Sequence, residues 1–301
     1  MGRGGDVDGA AGALRQFVRE AGGCAVVDGG LATELEAHGA DLHDELWSAS
    51  CLVSAPHLIR KVHLDYLDAG ANIITSASYQ ATIQGFQARG LSRERSEALL
   101  RRSVHIAQEA RAIFAEGWSK GPYANHRSSP RRPVLVAASI GSYGAYLADG
   151  SEYTGDYGIS VTKETLKSFH RRRLQVLADA GPDLIAFETI PNKLEAQAYA
   201  ELLEENDVRI PAWFSFTSKD GHSAASGDPI TECAAESEGG ASETDFVSCV
   251  GKWRQAGAAL VGGCCRTSPA TVRAISWALR ESDDAVGGDG DRDDFPAVAV
   301  L

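Results

Sequence analysis

The stretch AGAALVGGCCRTSP, residues 256–269, packs a whole structural unit into one line. It opens on Ala256-Gly257, the small-residue stop of a short helix-to-strand turn, where glycine accepts the left-handed cap. Ala259–Gly263 is then apolar throughout, as a strand buried on both faces must be. That strand ends on two thiols, Cys264 and Cys265, and Ser268-Pro269 opens the next helix as N-cap and first-turn proline. Val272, Ile275 and Leu279 give the helix its apolar face.

Working outward, five more runs have the same apolar character: Cys24–Asp28, Asn72–Ser76, Val134–Ser139, Leu184–Glu188 and Ala212–Phe216. Between most of them, apolar side chains recur at helical spacing. Leu58, Val62, Tyr66 and Ala69 form one such set; Leu166, Phe169, Leu177 and Ala178 another; Phe246, Val247, Val250 and Trp253 a third. The Ala-Gly junction also returns, at Ala69-Gly70 and Ala180-Gly181, each time running into a strand. Strand, helix, glycine and strand in repetition predict an α/β fold with a parallel sheet.

The polar residues decide between a closed barrel and an open doubly wound sheet. Each strand ends in something chemical: Asp28; Thr75, Ser76 and Ser78; Ser139; Glu188; Ser215 and Thr217; Cys264 and Cys265. A barrel brings all those ends to one mouth. The Asp28-Gly29-Gly30 turn does not supply the Gly-rich dinucleotide fingerprint of a doubly wound sheet. The expected fold is a TIM-type (β/α)8 barrel of which six of eight strands are identifiable, a single domain over 1–301. Residues 1–12 and 282–301 are expected to lack fixed structure, the latter because Glu281–Asp294 is Gly/Asp-rich and acidic. The basic stretch Gly117–Pro133 reads as a surface loop.

A net charge of −12 argues against a nucleic-acid partner. No apolar run approaches the roughly 18 residues of a membrane span. The N-terminal residues lack the basic start and apolar stretch of a secretory signal, and Asp6 stands where myristoylation wants Ser or Thr. The expectation is a cytoplasmic protein with reduced thiols. Cys24 and Cys51 read as packing or surface thiols, Trp213 and Trp253 as packing, and no histidine pair has metal-ligand spacing.

Thiols just before a helix N-terminus and beside Arg266 feel a positive potential that favours the thiolate, the form that binds zinc. Two buried cysteines can equally be small apolar side chains. Two ligands alone do not make a zinc site.

The order of motifs adds a resemblance. DGGLATELE at Asp28–Glu36, ITSASYQAT at Ile74–Thr82, AASIGSYGAYLADGSEYTGDY at Ala137–Tyr157, FETIPN at Phe187–Asn192, FSFTSKDG at Phe214–Gly221, DFVSCVGKW at Asp245–Trp253 and GGCCRTSP span most of the chain. Together they resemble the homocysteine S-methyltransferase family, in particular its plant members. The resemblance implies a (β/α)8 barrel with a catalytic Zn2+ on three cysteines, two of them matched by Cys264 and Cys265. It implies small-molecule substrates: L-homocysteine as methyl acceptor and a sulfonium donor, S-methylmethionine or S-adenosylmethionine, with methionine as product. It maps the substrate ammonium onto Asp28 and Glu188, with Thr75, Ser76 and Ser78 as candidates for the substrate carboxylate. A monomer is expected for the family.

The chain also departs from that pattern. Only about 40 residues separate Phe216 from Ala259, where a complete barrel needs two strands and their helices, and one βαβ unit takes about 30. Asp228–Ala235 and Asp245–Trp253 read as helices, leaving Glu236–Ser242 between them. The Gly-x-Asn-Cys motif that would carry the third zinc ligand is absent from the sequence; Cys233 and Cys249 are the remaining thiols there. A barrel short of two strands leaves an open edge, through which a dimer could form. Two other readings follow: a catalytically impaired relative acting as a binding or interaction protein, and a phosphate-binding barrel lyase using Gly262-Gly263.

Overall fold

Side-chain alternation within the strands sorts the core into two layers. A computed structural model of the chain describes residues 5–44, 46–120, 132–218, 220–229, 250, 254, 258–263 and 266–285. The strands are β1 (Ala25–Val27), β2 (Ile73–Thr75), β3 (Leu135–Gly141), β4 (Leu184–Ile190), β5 (Ala212–Phe216) and β6 (Leu260–Gly262). All six coincide with the apolar runs. One face presents Ala25, Val27, Ile73, Ala137, Leu184, Ala186, Trp213 and Leu260 to an inner core. The other presents Val26, Ile74, Val136, Ala138, Ile140, Ile185 and Phe187 to the helices. Burial on both faces is what a parallel sheet covered by helices requires. Each fully buried Ile or Phe here contributes about 1.5–3 kcal/mol of hydrophobic stabilisation.

The strands are parallel and ordered β5-β4-β3-β2-β1-β6. Strands one to five follow chain order, and the last returns to pair with the first through Ala25–Leu260, Val26–Val261 and Val27–Gly262. That return is the closing step of a barrel, interrupted between β5 and β6. The fold is therefore an incomplete (β/α)8 barrel, a curled sheet of six parallel strands, as the sequence pattern predicts.

The helices used below are α1 (Gly5–Glu20), α2 (Leu31–Ala37), α3 (Pro56–Ala69), α4 (Arg93–Lys120), α5 (Lys163–Asp179), α6 (Lys193–Glu205) and α7 (Pro269–Ala285). In α3 the buried face is Ile59, Val62, His63, Tyr66, Leu67 and Ala69, close to the predicted stripe. Gly70 caps α3 at φ 119°, and Gly181 follows α5 at φ 71°, so two of the three Ala-Gly junctions do make left-handed caps. The third, at Gly257, lies outside the described residues, as do Cys233, Cys249 and Trp253.

Helix α1 covers part of the stretch expected to lack structure: its Phe17 and Val18 join the inner core with Ala25, Leu184 and Ala259, residues at the start of their strands. The loop expectation for Gly117–Pro133 needs correction, since α4 continues through Gly117 to Lys120. Nothing in that stretch breaks a helix before Pro122, so the helical ladder simply runs on. Cys24 and Cys51 are thiols buried in the core.

Candidate active site at the strand ends

Asp28 ends β1 and faces β2. Its carboxylate accepts the Thr75 main-chain N–H at 2.8 Å and the Thr75 hydroxyl at 3.0 Å, and the residue is 4% exposed. Burial pushes its pKa up to about 8; the Thr75 hydrogen bonds pull it down, while the charge of Glu188 adds to the rise. The two acids are thus within electrostatic reach of one another across the mouth.

Glu188 lies near the end of β4, within an irregularity: the β4–β5 register shifts between Phe187 and Ile190, and Thr189 sits at φ 60°. A left-handed β-branched residue in a bulge is a strained device that re-aims its neighbours. The Glu188 carboxylate accepts a hydrogen bond from the Ser139 hydroxyl of β3. Behind it runs a chain of hydroxyls. The Ser139 N–H donates to Ser76 Oγ at 3.1 Å, Ser76 and Ser78 share a hydrogen bond at 2.6 Å, and the Ser78 hydroxyl donates to the Ser139 carbonyl at 2.7 Å. Ser76 and Ser78 are buried, and their hydroxyls are committed to these internal bonds. Thr75 is the more open member of the three. Ser139 was legible as a polar strand end but not as a partner of Glu188, because pairing across β3 and β4 is set by register.

The loop after β3 is tied down from behind. Glu195 on α6, fully buried, accepts the Tyr143 N–H at 2.6 Å, the Tyr157 hydroxyl at 2.6 Å and the His170 Nε2–H at 2.8 Å. Burial holds His170 below its ordinary pKa, against the upward pull of Glu195. Arg173, on the same face of α5, is 1% exposed and among the described residues donates to main-chain carbonyls alone: Gly141 at 2.9 Å, Ser78 at 2.7 Å and Tyr79 at 2.6 Å. A guanidinium buried without an ion pair costs several kcal/mol of desolvation, which these charge-assisted bonds must offset.

The β6 end docks on β1. Gly263 donates its N–H to the Asp28 carbonyl at 2.9 Å, Gly30 donates to the Thr267 carbonyl at 3.0 Å, and the Tyr66 hydroxyl donates to that same carbonyl at 2.8 Å. A Cβ on Gly29 would stand 2.6 Å from Thr267 Oγ1, and one on Gly263 2.1 Å from it, so these glycines permit the close approach. Arg266 donates its N–H to Thr33 Oγ1 at 3.2 Å. Cys264 and Cys265, between these anchors, lie outside the described residues. Among the described residues the one grouping with metal-ligand chemistry is Glu34 of α2, His38 at its C-cap and Asp65 of α3, without a thiol.

The family model described as homocysteine S-methyltransferase matches this sequence over residues 25–251 and again over 236–279. The chain belongs to the homocysteine S-methyltransferase family. Homocysteine S-methyltransferase 4 of Zea mays is 63% identical, with 99% of each chain covered. Selenocysteine Se-methyltransferase of Brassica oleracea var. italica is 52% identical over 87% of this chain and 90% of its own. The crystal structure of homocysteine methyltransferase MmuM from Escherichia coli in a metallated form is 41% identical at TM-score 0.73, covering 84% of this chain and 96% of that one. The alignment with the maize enzyme spans 352 residues, more than the 301 of this chain, so that relative carries a segment with no counterpart here. Methyl transfer is the family's chemistry, and a metal-bound form is known within its fold. No helix among the described residues is long and apolar enough to cross a membrane.

Proposed function

We propose that the mouth built by Asp28, Thr75, Ser139 and Glu188 recognises the amino-acid end of L-homocysteine. The supporting observation is the pair of acids on opposite strands, one buried with a raised pKa and both held by hydroxyls. A bound ammonium supplies the positive charge that lets two neighbouring carboxylates ionise together. Thr75 is the open hydroxyl for the substrate carboxylate, with Ser76 and Ser78 behind it. In the reaction, the bond from methyl to the sulfonium sulfur breaks as the acceptor sulfur bonds to that carbon. The electron pair stays with the donor, S-methylmethionine or S-adenosylmethionine, and homocysteine becomes methionine. Thiolate is the nucleophile in such a step, and a coordinated zinc holds a thiol deprotonated at neutral pH.

The zinc ligands proposed in this chain are Cys264 and Cys265. A catalytic zinc takes three protein ligands, and the sequence lacks the third cysteine motif. The donor set is therefore one short of a catalytic zinc site. A cytosolic location suits such thiols.

Zinc content per purified chain, homocysteine binding by calorimetry and methyl transfer with each donor test this reading. Homocysteine binding that Asp28→Asn and Glu188→Gln each weaken at least tenfold is expected, with zinc well below one per chain. Unchanged binding in both variants would remove the proposed acceptor site. Tightly held stoichiometric zinc with rapid transfer would show that two thiolates suffice here.

The second reading, a binding protein without turnover, is favoured by the interrupted barrel; homocysteine binding without methyl transfer to it would decide for that.

A further inference from the structure

Arg173 was not singled out by the sequence, although its position carries a signal. Leu166, Phe169, Arg173 and Leu177 follow helical spacing, which puts a cation on the stripe that faces the core. The structure keeps it there. Among the described residues its hydrogen bonds go to carbonyls at the end of β3 and just after β2: Gly141 through Nη1, and Ser78 and Tyr79 through Nη2. Its Nε finds no acceptor among the described residues. Burial lowers the pKa to about 10, still well above neutrality, so the group is a cation in place.

What those carbonyls belong to gives the residue its meaning. Ser78 bonds Ser76 and the Ser139 carbonyl, Ser76 accepts from the Ser139 N–H, and the Ser139 hydroxyl donates to Glu188. Gly141 continues the same strand as Ser139 and has room for no side chain, since a Cβ would lie 2.4 Å from the Tyr79 carbonyl. The Tyr199 hydroxyl adds a second donor to the Gly141 carbonyl at 3.1 Å. One guanidinium therefore spans two loops that have no covalent link near the mouth, and the hydroxyl chain between them ends on an active-site acid.

We propose that Arg173 is a positioning residue for amino-acid recognition: it clamps the loops after β2 and β3 and so fixes the Ser78–Ser76–Ser139 chain that orients Glu188. It does so by direction as well as charge, because a planar fork meets three carbonyls that a single ammonium cannot span. Its positive charge also faces the mouth from behind, with Glu188, Glu195, Tyr79, Tyr199 and His170 among the titratable groups around it and Asp28 beyond Glu188. The proposal rests on the reading of Glu188 as an ammonium ligand.

The test uses the full chain with Arg173→Lys and Arg173→Met. Two readouts are taken: homocysteine affinity by calorimetry, and titration of the Glu188 carboxyl by carbon-13 NMR without substrate. Arg173→Lys is expected to bind about fivefold more weakly, with Glu188 titrating near its wild-type pH, since charge is kept while the fork is lost. Arg173→Met is expected to lose at least tenfold in affinity and to raise the Glu188 midpoint by about one pH unit, a shift that loosened packing alone would not produce. Should the methionine variant not fold, the lysine variant still decides: wild-type affinity in Arg173→Lys would overturn the proposal. So would an unmoved Glu188 midpoint in a folded Arg173→Met. A wild-type chain that binds no homocysteine, while Arg173→Met still shifts Glu188, counts against the proposed acceptor and leaves the positioning role standing.

Discussion

At the scale of single residues, two buried titratable groups pull stability in opposite directions with pH. Asp28 has its pKa raised from 3.8 to about 8, chiefly by burial. The folded chain then holds a proton that the unfolded chain releases between those values. Stability is therefore full below about 4 and is lost as pH rises through about 8. Asp28→Asn is expected to remove that loss, which between pH 5 and pH 8.5 is about 4 kcal/mol for a group titrating near 8. Denaturant unfolding at pH 5 and pH 8.5 checks it; equal slopes in both proteins would contradict the burial account. His63 is the mirror case. It lies fully buried on α3, both ring nitrogens lack partners among the described residues, and burial lowers its pKa from 6.5 to about 4. The unfolded chain binds the proton first, so stability is full above about 6.5 and drains away as pH falls toward 4. His63→Leu should stabilise the chain by about 1–2 kcal/mol more at pH 5 than at pH 7.5. A gain of equal size at both values would show that the ring is not the acid-labile group.

The sequence offered Asp28 and Glu188 as polar strand ends at one mouth, the family resemblance mapped the substrate ammonium onto them, and Thr75 was named beside them. It did not pair Glu188 with Ser139 or find Arg173. Those contacts join residues 49 and 32 positions apart or more, and depend on strand register and on which way a helix face turns.

At the scale of elements, the docking of β6 on β1 leaves no room for a side chain at Gly262. A Cβ on Gly262 would lie 2.5 Å from the Val27 Cβ and 2.6 Å from the Val27 carbonyl oxygen, and main chain cannot step aside. Gly262→Ala should cost about 2–3 kcal/mol by overpacking. Chemical denaturation giving a change under about 0.5 kcal/mol would mean the two strands are not held at this spacing. The same joint holds Gly263 and Arg266, the residues that flank the two thiols in sequence, against Asp28 and Thr33. Strands and helices were largely readable, since apolar runs, helical stripes and Ala-Gly stops all report local geometry. The helix running past Gly117 was not, because Gly and Ser there lower helix propensity without forbidding it.

At the scale of the whole molecule, the interruption between β5 and β6 governs behaviour. Among the described residues β5 pairs only with β4, and four of its five residues are partly exposed. Such an edge invites a second chain. Sedimentation velocity over a hundredfold concentration range is expected to show a dimer that dissociates on dilution; a monomer throughout would mean the edge is covered. Sequence alone settled the family, the parallel α/β order and the shortage of residues between Phe216 and Ala259, because motifs, periodicity and chain length are properties of the linear chain. Only the tertiary structure decided that the last strand still closes on the first, that the acids end up facing one mouth with hydroxyls behind them, and that a buried arginine ties two loops together. Each of those depends on register and burial across long sequence separations, and no local pattern encodes the dielectric a side chain will meet once the sheet has curled around it.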